Sequence, residues 1–90
     1  MNNEGINSML NEALKVGTEL AQRDPSDIAL SDILKQLAYL IKTYEQSHSF
    51  QSIPKGKMTF GVIAAKEEYD VVYPEFARLL HSISGSIEER

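Results

Sequence analysis

His48 and His81 have the side chains best suited to proton transfer, phosphoryl transfer or metal ligation, yet their spacing recommends none of these. Neither stands three or four positions from the other, and the chain has no cysteine to complete a ligand set. A metal would need Asp or Glu ligands from elsewhere, and no spacing marks them. His81 sits in Leu79-Leu80-His81-Ser82-Ile83, without the basic and glycine-rich surroundings that handling a phosphate demands. Glu67, Glu68 and Asp70 are the densest carboxylates. Paired carboxylates do acid/base work when their surroundings drive the two pKa values apart. Adjacent acids beside Lys66 read instead as a solvated helix face. Lys55-Gly56-Lys57 lacks the Gly-x-x-x-x-Gly-Lys-Ser/Thr spacing of a phosphate loop, and no Gly-x-Ser-x-Gly elbow surrounds any serine. The residues therefore point away from an enzyme, a cofactor or a metal, and towards action by contact.

Several side chains suit contact. Tyr39 falls off the apolar stripe of its helix and Tyr73 stands at a helix junction, where rigid hydroxyl-tipped rings are enriched in interfaces. Phe50 and Ile53 are isolated apolar residues in the polar stretch 47–56, to be read either as a lid lying back on the core or as anchors for a partner. Lys55 and Lys57 form a small basic spot, and Ile87 and Arg90 end a polar tail. These eight residues are the candidate partner-binding set.

The elements that must position them are helices. Asp24-Pro25 reads as a helix start, with Asp24 accepting a backbone N–H and Pro25 at the first helical position. Beyond it Leu30, Ile33, Leu34, Leu37, Ile41 and Tyr44 recur at helical spacing, widened by Ala38 and Leu40, and predict a helix over 25–46 with two neighbours. Ile6, Met9, Leu10, Ala13, Leu14, Leu20 and Ala21 predict another over 3–22. Gly17 interrupts that apolar face, at a cost of up to about 1 kcal/mol relative to Ala, which close approach of a neighbouring helix would justify. Residues 58–63 have the β-branched and aromatic content of a strand, but a strand would have no partner. Met58, Val62, Ala65, Tyr69 and Val72 align at helical intervals, so the spacing predicts a helix over 58–71. Pro74 opens a last helix over 74–84, with Gly85 as its stop and a polar tail over 85–90. The expected architecture is all-α: one domain over 1–90, an antiparallel four-helix bundle.

Composition narrows the function classes. Ninety residues suit one domain with a modest core. A net charge of −4 opposes general nucleic-acid binding, which rewards clustered Lys and Arg. No signal-peptide pattern and no run of about 18 apolar residues appears, so a soluble cytoplasmic protein is expected.

The arrangement resembles the small bacteriocin immunity proteins of the enterocin/pediocin type. The resemblance rests on the length and lack of cysteine, the run Ile33-Leu34-Lys35-Gln36-Leu37-Ala38-Tyr39-Leu40-Ile41, the linker ending Ser52-Ile53-Pro54, and the last helix Phe76-Ala77-Arg78-Leu79-Leu80-His81-Ser82-Ile83-Ser84. It implies a four-helix bundle that protects a producer cell through protein contact, the partner being a toxin, a bacteriocin or its receptor complex. The acidic charge departs from the many basic members of that family. A homodimer and peripheral membrane contact are further expectations. The competing class is a helical adaptor or chaperone subunit that oligomerises through an apolar face.

Overall fold

The computed structural model describes residues 3–53 and 58–88, which form five helices and no strand. They are α1 (Asn3–Arg23), α2 (Ile28–Ser47), α3 (Phe60–Lys66), α4 (Tyr69–Val72) and α5 (Pro74–Glu88). The long axis of 33 Å is close to the length of α1 or α2, since about 20 residues at about 1.5 Å each span about 30 Å. α1 packs between α2 and α5, and α3 touches both α2 and α5 from the other side.

Periodicity explains the core. α1 buries Ile6, Leu10, Ala13, Gly17 and Leu20, and α2 buries Leu30, Ile33, Leu37 and Leu40. These alternating steps of three and four residues keep each seam facing its neighbour. On α2 the seam is rotated slightly from the expected stripe: Leu40 is central, Leu34, Ile41 and Tyr44 are partly buried, and Ala38 is exposed. Gly17 has the expected reason. A Cβ there would meet Leu34 Cδ2 at 2.7 Å and Phe76 Cζ at 2.9 Å, so the missing side chain lets α2 and α5 close on α1.

Three boundaries differ from the expectation, each for a local reason. Asp24-Pro25 does not start α2. The Asp24 N–H still donates to Leu20 O (3.0 Å), the Asp27 N–H donates to Asp24 O (3.1 Å), and the Ser26 hydroxyl bonds Asp24 Oδ1 (2.9 Å). These bonds make 24–27 a turn, with Pro25 in a position its fixed φ suits. Asp27 is the cap, its Oδ1 accepting from the Leu30 N–H (3.2 Å).

The helix expected over 58–71 is broken in two, which makes five helices rather than four. Glu68 takes a left-handed conformation (φ 57°), and this turn swings Tyr69 into the core. The buried face is then Phe60, Ala64 and Tyr69, while Val62, Ala65 and Val72, expected inside, are exposed. Gly61 allows that side to approach α5, since a Cβ there would lie 3.0 Å from Ser84 Oγ.

α5 does not stop at Gly85. Ile87 lies one turn beyond Ile83 on the same face and is 2% exposed, so its burial holds the last turn helical through Glu88.

Candidate interaction surface

Two hydrogen-bonded clamps hold α3 and α4 along the first half of α2. At one end Gln36 reaches across: its Oε1 accepts from the backbone N–H of Thr59 (2.8 Å) and of Phe60 (3.0 Å), and its Nε2 donates to Thr59 Oγ1 (2.9 Å). Gln36 thus satisfies amides that the Thr59 side chain, at the cap position, leaves unbonded. At the other end the Tyr69 hydroxyl donates to Asp27 Oδ2 (2.9 Å). Burial first, then this bond and the nearby carboxylates, push the Tyr69 hydroxyl well above the usual tyrosine range. Asp27 therefore caps α2 with one oxygen and anchors α4 with the other.

Between the clamps runs an open groove of about 540 Å³, lined by Asp24, Ser26, Asp27, Ile28, Ala29, Asp32, Ile63, Lys66 and Glu67. Ala29 and Ile63 are half-buried in it, and Ile28 stands 77% exposed. Four of its side chains are acidic and one is basic. A second, smaller cleft of about 320 Å³ lies where the end of α1 meets the start of α5, lined by Val16, Glu19, Leu20, Arg23 and Tyr73–Phe76. Its charges are of both signs.

The residues expected to bind a partner divide into three groups. Tyr39 is 41% exposed on α2, and Tyr73 is half-buried beside the smaller cleft with its ring 5.3 Å from that of Tyr69. Phe50 and Ile53, at 2% and 1% exposure, lie back on the core as a lid rather than standing out as partner anchors, and Ile87, at 2%, is a core residue, which corrects its expected place in a polar tail. Phe50 stacks on Tyr44 with centroids 5.4 Å apart, and the Ile53 N–H donates to Phe50 O (3.2 Å), so a tight turn folds both onto the core. Lys55, Lys57 and Arg90 lie outside the described residues.

The two histidines and the carboxylate group of 67–70 lie at helix ends and on the surface. His48 ends α2 in a left-handed conformation with its ring edge-on to Tyr44, and His81 Nε2 lies 3.2 Å from the exposed Asp70 Oδ1. Glu67, Glu68 and Asp70 are exposed. Among the described residues no three His, Asp or Glu side chains converge to hold a metal ion. No helix among them is long and apolar enough to cross a membrane. The stretches 24–34 and 67–73 contain no Lys or Arg, but nothing in the sequence joins them into one groove.

The family model of Tsi6 matches residues 6–89, from the first core residue, Ile6, to beyond the last, Ile87. This is an immunity family, but not the enterocin/pediocin type that the sequence resembles. No curated protein and no solved structure matches the chain.

Proposed function

The chain belongs to the Tsi6 family of type VI secretion immunity proteins, and we propose that it protects the cell that makes it by binding a toxin directly, without catalysis. The observation that carries this reading is the extent of the family match, which takes in the whole buried core and every helix. The surface supports it as well: a groove with fixed walls and an exposed isoleucine suits contact with another protein, and the two clamps limit the ordering cost of binding. Neutralisation then comes from occupying the toxin. We propose the cytoplasm as the compartment, which a cysteine-free chain fits.

The test is protection. Produced in a host that also expresses the type VI effector toxin encoded beside its gene, the chain should restore growth. Arrest that persists while the folded chain accumulates at levels matching the toxin overturns the reading.

A further inference from the structure

Among the described residues, acidic charge and apolar exposure coincide along the α2–α3 groove. The stretches 24–34 and 67–73 hold six of its 13 acidic residues and none of its nine Lys and Arg. They lie far apart in sequence, and the bond from Tyr69 to Asp27 joins them across the α2–α3 groove. Asp27 is engaged there as cap and anchor, whereas Asp32 and Glu67 are exposed in the lining. Beside them Ile28 stands in solvent over the half-buried Ala29 and Ile63. α2 buries its other face through Leu30, Ile33, Leu37 and Leu40, but Ile28, at 77% exposure, packs on little of its own chain.

The geometry points to the α2–α3 groove as the toxin-docking surface, taking a segment in which Lys or Arg side chains flank an apolar one. This rests on the immunity reading and adds the surface and the partner's chemistry. Cations facing Asp32 and Glu67 meet a wall with only Lys66 to oppose them, and an apolar side chain between them covers Ile28 and extends the floor of Ala29 and Ile63. A groove of this size is the anchor of a protein interface, the rest being supplied by flatter surface around it. The cleft beside Tyr73 is the weaker candidate, because Glu19 and Glu75 are set against Arg23 there and the acidic excess is smaller. Val71 and Val72 are exposed but line none of these clefts.

The test measures affinity of the full chain for the toxin encoded beside its gene. Asp32→Lys with Glu67→Lys should weaken binding by about 100-fold, mostly through slower association at low salt, and Ile28→Asp by about tenfold or more. Glu45→Lys, on the far half of α2, should stay within about threefold of the parent. Circular dichroism should show all variants folded, since the substituted side chains are exposed. Hydrogen exchange on the unmodified pair reads the same surface without substitution, and amides of 24–34 and 59–68 should slow in the complex. A parent that binds while the groove variants bind equally well, or a complex that leaves those amides unchanged, overturns the docking surface and leaves the immunity reading standing. A parent that neither binds nor protects overturns both. A parent mass of twice 10.1 kDa in light scattering that Ile28→Asp halves gives the groove to a second copy and also overturns the proposal.

Discussion

Gly17 and Gly85 both interrupt helices, and the same substitution should have opposite effects at the two positions. Alanine in place of helical glycine gains up to about 1 kcal/mol. At Gly85 nothing lies within 4 Å of the added Cβ, so Gly85→Ala should be stabilising by about that amount. At Gly17 the Cβ meets Leu34 at 2.7 Å and the buried ring of Phe76 at 2.9 Å, so both would have to shift. Overpacking of this kind costs about 1–3 kcal/mol and outweighs the helix gain, so Gly17→Ala should be destabilising. Urea midpoints of the two variants measure this, and a Gly17→Ala midpoint above the parent's would refute the close approach. Tyr69 gives a pH test. Its hydroxyl is raised by burial and by Asp27, whereas in the unfolded chain it ionises near pH 10. Above that pH the unfolded chain has lost a proton that the folded chain keeps, so the bond's contribution, complete below about pH 10, is lost as pH climbs. Tyr69→Phe should flatten the alkaline fall in thermal midpoint; identical falls in both proteins would show that the hydroxyl titrates freely. Gly17 was legible because an apolar face with a gap has few explanations, but no local pattern joins Tyr69 to Asp27 across 42 positions.

Among the elements, α1 and α2 follow from their own apolar spacing because each has long buried seams. The errors are at ends and in short helices, where tertiary contacts outweigh local preference. Asp24-Pro25 has the residues of a helix start, yet the α1 end continues to bond Asp24, and Asp27 takes the capping role. Residues 58–72 contain two overlapping apolar patterns, and the one with Val62 and Val72 loses because Phe60, Ala64 and Tyr69 pack on α2 and α5. α5 outruns its glycine because Ile87 is buried. The start of α3 depends on another helix. Gln36 caps it from α2, so Gln36→Ala should strip two backbone amides of their acceptor and cost about 1–2 kcal/mol. Thr59→Ala removes only the exposed side-chain bond and should cost less. Hydrogen exchange at the start of α3 should rise in the first variant and change little in the second; equal effects would mean that the cap is local.

For the molecule as a whole, the expected division of labour between core and surface is partly redrawn. Helical class and the buried seam of α2 with its two neighbours were legible in apolar periodicity, which reports burial directly, whereas α5 packs against three helices, α1, α3 and α4. The placement of Phe50 and Ile53 was not legible, because an isolated apolar residue in a polar stretch has the same sequence signature whether it folds inward or faces solvent, and here the turn carries both inward. The groove was hidden for a different reason: its acids come from two stretches that only the fold joins. What remains outside, the exposed Ile28 beside carboxylates on a braced frame, suits the proposed binding of a toxin. The measurement that reaches this claim most directly is a calorimetric titration of the purified toxin into the purified chain, followed by intact mass of both. The account predicts saturable binding at one toxin per chain, with both masses unchanged. No binding between two folded proteins, or a toxin recovered cleaved or covalently altered, would contradict it.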